Sequence, residues 1–311
     1  VGVAGDLSRP RLGLSVADHE RLADEVDAVY HSAAKVRWLR PYEDLEAVNV
    51  TGTRRVLDLV ADGRPKRLVH VSTLAVFPFG GSAPVVEDGP LDHGGLLYGG
   101  YPQSKWVAEK LVAAAAAQGL DAVVLRPGSV TGASGSGVFN PKSFVELLLS
   151  TVVGLGWAPL PSTGADVPVD LVPVDYAAAA AVALTLAPTG EARGDGAYHL
   201  TNPRPIPLSA LYRTLTELGY PVRTEPYEAW RDRVLDPAVV ARTPLEPFAD
   251  FLAAALEEFL RLPPYGSQRA QRDLAGTGVA CPPVDAALLR TYFAALHRQG
   301  LVPAAPRGTD R

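Results

Sequence analysis

Tyr101 and Lys105 are the pair of residues whose spacing most clearly suggests chemistry. They form a Tyr-x-x-x-Lys motif in YPQSK, at the beginning of a segment with helical periodicity. Side chains four positions apart lie on one face of a helix. A neighbouring ammonium lowers the phenol pKa from its ordinary value of about 10, so that the phenol can exchange a proton near neutral pH. Alone, the spacing also fits an ordinary surface pair. Tyr98 is a weaker candidate, because Pro102 occupies the position four residues after it.

Thr73 is a second candidate, at the end of the β-branched segment RLVHVSTLAV (67–76). A hydroxyl at the carboxyl end of a strand lies where open α/β sheets bind ligands. There it could hydrogen-bond a substrate oxygen on which negative charge develops. A threonine can also simply fill a strand terminus. The Tyr-Lys pair 28 positions later favours the catalytic interpretation.

The elements that must position these residues alternate between strand and helix. Apolar strand patterns occupy 26–34, 67–76 and 121–130, and helical patterns occupy 42–62, 101–118 and 144–153. This alternation predicts a Rossmann-like α/β fold with a parallel sheet covered on both faces. After residue 195 the pattern becomes mostly helical. We therefore predict a Rossmann-like domain over 1–195 and a smaller, mostly helical lobe over 196–311, which would close the substrate side of the cleft.

Composition excludes several classes of protein. The 311 residues carry a net charge of −5, and the sequence pI is about 5.7, so nothing favours nucleic-acid binding. The lone cysteine, Cys281, excludes an internal disulfide and indicates a reducing, cytoplasmic location. The longest apolar stretch, 171–187, is interrupted by Pro173 and Asp175, so a buried helix is expected there rather than a membrane span. The histidines lack metal-ligand spacing.

Several motifs occur in the order found in a known superfamily. They are HSAA (31–34), NVTGT (49–53), VST (71–73), YPQSK (101–105) and RPGSV (126–130). The sequence thus resembles the extended short-chain dehydrogenase/reductases. More narrowly, it is similar to the thioester reductase domains of non-ribosomal peptide synthetases, polyketide synthases and carboxylic acid reductases. The stretches that carry this narrower resemblance include GDLSRPRLGLS (5–15), YPQSKWVAEKLV (101–112), YHLTNPRPIPLSALYRTLTELGYPV (198–222) and EPYEAW (225–230).

The resemblance implies a reaction and roles for particular residues. NADPH would reduce an acyl or peptidyl thioester, held on a phosphopantetheinyl carrier protein, to an aldehyde or further to an alcohol. Tyr101 would be the general acid, and Thr73 would hold the carbonyl oxygen. Lys105 would bind the nicotinamide ribose and lower the Tyr101 pKa. The other cofactor-binding residues implied are Asp6 near the adenine, Ser32, Ala33, Ala34, Lys35 and Asn49 along the cleft, and Pro127, Gly128 and Val130 at the nicotinamide end.

The sequence departs from this family at its beginning. VGVAGDLS (1–8) corresponds to the family's third strand, so we expect the first strand, the glycine-rich turn and the following helix to be lacking. These elements grip the pyrophosphate, and weak cofactor binding is therefore expected. Two alternatives stay open. One is a nucleotide-sugar epimerase or dehydratase of the same superfamily, against which residues 198–230 argue. The other is a non-catalytic fragment that docks a carrier protein.

Overall fold

The computed structural model describes residues 1–38, 40–80, 83–161, 166–186, 196–254, 256–257 and 262–304. Its strands are β1 (Ala28–His31), β2 (Arg67–Val71), β3 (Ala122–Pro127), β4 (Ser129–Thr131), β5 (Trp157–Leu160), β6 (Pro168–Val169), β7 (Leu171–Pro173), β8 (Gly196–Leu200), β9 (Ile206–Pro207) and β10 (Arg223–Pro226).

Helices connect and cover these strands. They are α1 (Val16–Glu25), α2 (Glu43–Asn49), α3 (Thr51–Ala61), α4 (Gly100–Ala117), α5 (Phe144–Leu155), α6 (Val174–Leu186), α7 (Leu208–Glu217), α8 (Tyr227–Val234), α9 (Pro237–Val240), α10 (Ala249–Ala254), α11 (Gln268–Leu274) and α12 (Ala286–Arg298). Short 3-10 turns include Pro10–Gly13, Leu74–Val76, Gly94–Leu96 and Glu246–Phe248.

The main sheet has the order β1-β2-β3-β8, and all of its strand pairs are parallel. This confirms the predicted Rossmann-like α/β class. Parallel strands need crossover connections, and the helices of those connections bury the sheet, which explains the near-continuous apolar runs of β2 and β3. β1 forms an edge of this sheet, and Tyr30 on it is 41% exposed. The apolar pattern at 26–34 therefore forms a strand, Ala28–His31, that is less buried than β2 and β3.

The strand register brings the candidate segments to one edge of the sheet. His31 pairs with His70, Val71 with Leu125, and Pro127 with Leu200. The chain segments that follow these strands therefore leave the sheet side by side. Parallel strands place all their carboxyl ends at one edge, which is where the sequence analysis expected a ligand.

Two helical predictions differ from the structure. The single helix expected over 42–62 is two helices, α2 and α3, which meet at Val50. The stretch 171–187 begins with strand β7 and continues as α6, which is only partly buried. Val182 on α6 is 50% exposed, so the expectation of a buried helix there was wrong. Within the described residues, no helix combines the length and apolar character that a membrane span requires.

The two cores do not divide at residue 195. Strand β8 pairs with β3 in the main sheet, and Ala270 and Leu274 of α11 pack against sheet residues such as Val123. Conversely, residues of α5 and β5 join the core of the C-terminal lobe with α7, α8 and α12. The chain thus crosses between the lobes more than once. A boundary at 195/196 misses this, because local patterns do not reveal which core an element joins.

Candidate active site

Thr73 lies just beyond the end of β2, as predicted. It caps the 3-10 turn Leu74–Val76, and its Oγ1 accepts a hydrogen bond from the Ala75 backbone N–H at 3.2 Å. This contact fixes the hydroxyl at the carboxyl edge of the sheet. The hydroxyl hydrogen can still be donated to an oxygen in the cavity that Thr73 lines.

Tyr101 is in the first turn of α4 and is 8% exposed. The helix begins close to the segment that ends at Pro41, because Gly100 carries no side chain. A Cβ on Gly100 would be 2.3 Å from the Arg40 carbonyl oxygen. The Tyr101 ring packs against Trp38, with the ring centroids 5.3 Å apart. The sequence therefore places this phenol in an apolar environment.

That environment corrects one expectation. Burial raises the pKa of Tyr101 to about 12, and an interaction with the Thr73 side chain only partly opposes it. We expected Lys105 to lower this pKa instead. Desolvation prevails because an apolar surrounding penalises the phenolate. The phenol consequently keeps its proton across neutral pH, as a general acid must before it reacts.

Lys105 is 3% exposed, and its Nζ donates a hydrogen bond to the Val71 carbonyl oxygen at 2.7 Å. Burial lowers the pKa of Lys105 to about 8, and the charge of Glu109 opposes this shift. Among the described residues this is its one hydrogen bond, so two N–H donors stay available. Such donors suit the vicinal hydroxyls of a ribose, and the residues present therefore fit a nicotinamide nucleotide at this position.

Glu109 is a neighbour that the sequence analysis missed. It is 2% exposed, and it forms a buried ion pair with Arg126 on β3. Its other oxygen, Oε2, accepts a hydrogen bond from Ser72 Oγ at 2.6 Å. Glu109 therefore links helix α4 to the residue before Thr73. Its position four residues after Lys105 was the available signal, since both side chains share a helix face.

A cavity of about 1040 Å³ opens beside these residues. Of the predicted site residues, it is lined by Thr73, Tyr101, Pro127, Gly128 and Val130. Its wall is largely apolar and aromatic, with Trp38, Phe79, Phe144, Phe248 and Phe251. Such a lining suits an apolar acyl chain better than a sugar, which needs many hydrogen-bonding partners.

The remaining predicted cofactor residues lie outside this lining. Ser32, Ala33 and Lys35 are exposed, Ala34 is half-buried, and all four follow the carboxyl end of β1. Asp6 is in an exposed loop, where hydrogen bonds from the Ser8 hydroxyl and backbone lower its pKa. The structure brings the candidate catalytic residues Thr73 and Tyr101 and the nicotinamide-end candidates to one cavity, whereas Lys105 is outside its lining. It does not extend that cavity to the adenine-end residues.

Asn49 has a structural part in this arrangement. It is 2% exposed, and its side chain bonds both the backbone N–H and the carbonyl of Lys35 at 2.7 and 3.0 Å. It also donates to Ser104 Oγ, which in turn donates to the Tyr101 carbonyl. Asn49 thus connects the loop after β1 to helix α4.

Two cavity residues were missed because nothing local marks them. Asp170 and Tyr265 lie 97 and 192 positions from Thr73 by residue number, and neither belongs to a motif. Only the tertiary fold brings them to the same wall. In the part of the chain that the structure describes, no cluster of three or more His, Cys, Asp or Glu side chains could hold a metal.

Sequence comparisons relate the chain to an NAD-binding family and to reductases and peptide synthases. The family described as male sterility protein, an NAD-binding family, matches residues 1–181. The L-2-aminoadipate reductase of Saccharomyces cerevisiae is 33% identical over 97% of this chain and 23% of its own length. An isonitrile lipopeptide synthase of Streptomyces coeruleorubidus is 36% identical over 97% of the chain and 20% of its own length. The chain thus spans about a fifth of these relatives.

Solved structures give the same grouping. The terminal R domain from the myxalamid PKS-NRPS biosynthetic pathway is 40% identical with a TM-score of 0.89, covering 98% of this chain and 76% of that one. The reductase domain of a nonribosomal peptide synthetase from Mycobacterium tuberculosis is 26% identical with a TM-score of 0.73, covering 96% and 76%.

Proposed function

Since the chain belongs to the reductase (R) domain family of non-ribosomal peptide and polyketide synthases, within the extended short-chain dehydrogenase/reductases, we propose that it reduces a carrier-bound acyl or peptidyl thioester to an aldehyde with NADPH. The observation that carries this proposal is the meeting of Thr73 and Tyr101 at the wall of one largely apolar cavity, with Lys105 on the same helix as Tyr101.

The chain's own residues would act on the thioester carbonyl. Thr73 donates a hydrogen bond to the carbonyl oxygen, and Tyr101 donates its proton to that oxygen as negative charge develops on it. The high pKa of Tyr101 keeps this proton in place until the oxygen becomes basic. The carbonyl carbon would receive its hydride from the reduced nicotinamide when that cofactor is bound. The resulting thiohemiacetal then loses the carrier thiol and leaves the aldehyde.

Lys105 would serve the proton donor indirectly. The Val71 carbonyl holds its ammonium at the carboxyl edge of the sheet. The two remaining N–H groups would donate hydrogen bonds to the ribose hydroxyls. Asp6, Ser32, Ala33, Ala34, Lys35 and Asn49, with Pro127, Gly128 and Val130, stay proposed as the cofactor-binding residues.

A phosphopantetheinyl carrier protein is the proposed partner. Arg37, Arg40 and Lys142 are exposed and line the cavity together with one exposed acid, Asp250. Arg40 is already paired with Asp44 at 2.7 Å. The net positive charge of this rim suits a phosphate arm and an acidic carrier surface.

The test is NADPH oxidation with an acyl-carrier thioester as substrate. Tyr101→Phe removes the proton donor but keeps the ring packed against Trp38, so turnover should fall by about 10² or more. Tyr98→Phe is the matched control, because Tyr98 is 50% exposed and three residues away. Aldehyde formation at an unchanged rate in Tyr101→Phe would overturn the proposal.

A further inference from the structure

Aromatic side chains from three separate segments meet at the cavity beside Thr73 and Tyr101. Trp38 lies in the loop after β1, Phe144 is the first residue of α5, and Phe248 ends the 3-10 turn before α10. All three residues line the cavity. Each is half-buried, so part of its apolar surface is accessible. Because covering apolar surface is favourable, these rings mark where an apolar group of a ligand would bind.

Ring contacts connect these side chains to Tyr101. Measured between ring centroids, Phe144 lies 5.2 Å from Phe248 and 5.1 Å from Phe251. Phe251 lies 5.8 Å from Trp38, and Trp38 lies 5.3 Å from Tyr101. The rings thus form an unbroken series that begins at Tyr101 and ends at Phe248. An acyl chain whose carbonyl is at Tyr101 would run past Trp38 towards Phe248.

Phe251 holds the accessible rings in place. It is 4% exposed, and it belongs to the core of the C-terminal lobe. Trp38, Phe144 and Phe248 pack against that same core. A close-packed core restricts side chains to few rotamers, so the three rings are arranged before a ligand binds. Binding then costs little ordering of these side chains.

The rest of the lining favours an apolar chain over a peptide. Val36, two residues before Trp38, also lines the cavity and is 53% exposed. The charged side chains of the lining other than Asp170 are exposed, and they are Arg37, Arg40, Lys142 and Asp250. A peptidyl chain has an amide at every residue, and each amide loses hydrogen bonds to water when it lies against apolar rings. An apolar acyl chain has no such cost.

We propose that Trp38, Phe144 and Phe248 form an acyl wall, positioned by Phe251, that binds the apolar chain attached to the thioester carbonyl. The substrate class is then a long apolar acyl group rather than a peptidyl group. This assignment rests on the proposed function, because it takes the carbonyl to lie beside the Tyr101 hydroxyl. Binding of an apolar chain to the acyl wall can be measured alone, without cofactor or turnover.

Tryptophan fluorescence reports binding at the acyl wall directly. The chain has four tryptophans, and the described lining of the cavity includes Trp38 but none of Trp106, Trp157 and Trp230. The probes are the butanoyl, pentanoyl, hexanoyl and octanoyl thioesters of N-acetylcysteamine, added to the 311-residue chain. Each should cause a saturable change in emission that is lost in Trp38→Phe. Trp157→Phe is the control and should keep the change, because Trp157 is half-buried against the same core but outside the lining.

Affinity should rise with chain length in the wild type. Each added methylene should tighten binding about two- to fourfold while it meets the acyl wall. The N-acetylglycyl thioester is the matched polar probe, because an amide replaces two methylenes of the pentanoyl chain. It should bind about tenfold more weakly than the pentanoyl thioester. Equal affinities across the series, equal affinities of this pair, or an emission change that persists in Trp38→Phe would overturn the proposal.

Phe248→Ala tests the far end of the acyl wall. It should weaken octanoyl binding about tenfold and change butanoyl binding less than about twofold, because the short chain ends before position 248. Leu235→Ala is the control and should change neither affinity, since Leu235 is half-buried against the same core but outside the lining. Equal losses for both probes in Phe248→Ala would contradict the wall. The wild-type series needs no variant, so it decides the question even if Phe248→Ala fails to fold.

Turnover separates this proposal from the proposed function. A chain that binds the octanoyl probe more tightly than the butanoyl probe, but oxidises no NADPH with either, would refute only the proposed function. A chain that reduces both probes with the same KM would refute only the acyl wall.

Discussion

Lys105 on helix α4 donates a hydrogen bond to the carbonyl oxygen of Val71, the last residue of strand β2, over 2.7 Å. This contact places the buried Lys105 ammonium beside Val71, which precedes Thr73 by two residues. It also joins the helix that carries Tyr101 to the strand that presents Thr73. The relative position of the two hydroxyl groups is therefore set by the packing of one helix on one strand.

Glu109 should set the charge state of Lys105. Because the Glu109 carboxylate opposes the effect of burial, Glu109→Gln should lower the pKa of Lys105 below about 8. The chain has five lysines, so a titration of ¹³C-labelled lysine side chains by NMR can resolve Lys105, and Lys105→Arg identifies its signal. Ser72→Ala is the control, because it removes a hydrogen bond to Glu109 but keeps the carboxylate. An unchanged Lys105 titration in Glu109→Gln would contradict this prediction.

The pH dependence of turnover should follow Lys105. The ammonium is the form that would donate to the ribose with all of its N–H groups, so kcat/KM should fall as the pH rises through about 8. Tyr101, with a pKa of about 12, should contribute no ionisation in the neutral range. Lys105→Arg should react more slowly but lack the alkaline decline, since a guanidinium keeps its charge. Initial rates of NADPH oxidation across this range test it, and a wild-type profile that stays flat well above pH 8 would speak against it.

The stability of the fold should require glycine at position 128, because Asp170 lies against it. A Cβ at position 128 would approach Asp170 Oδ2 to 2.0 Å, so Gly128→Ala should cost about 1–3 kcal/mol of unfolding free energy. In an Asp170→Ala background most of this cost should disappear, which a double-mutant cycle by urea unfolding measures. Gly135→Ala is the control, since its Cβ would meet nothing within 4 Å. Additive costs for Gly128→Ala and Asp170→Ala would disprove the coupling.

Arg37 and Lys142, two exposed basic residues of the cavity lining, should affect binding of the carrier protein but not the chemical step. Arg37→Glu together with Lys142→Glu should raise KM for the acyl-carrier thioester by about three- to tenfold at low salt, with less effect at high salt. A short thioester without the carrier should react with unchanged kinetics in the same variant. A parallel loss with both substrates would instead indicate damage to the site.

The positions of Thr73, Tyr101 and Lys105 in the fold could be predicted because their signals are local. The Tyr101–Lys105 spacing fits one helix face, and Thr73 follows a β-branched strand, so periodicity alone brings both to the edge of a sheet. Glu109 could have been predicted from the same helical spacing. The direction of the Tyr101 pKa shift could not, because it depends on how completely Trp38 and the cavity wall exclude water.

The sequence by itself determined the α/β class, the parallel sheet and the family, since these follow from local periodicity and from motifs read in order. The tertiary structure decided the rest. It shows that β8 belongs to the main sheet, that α11 packs on that sheet and that α5 joins the other core. It also shows that Asp170 and Tyr265 line the same cavity as Thr73. The physical reason is that burial and contact between distant residues set hydrogen-bond partners and pKa values. Neither leaves a periodic trace in the sequence.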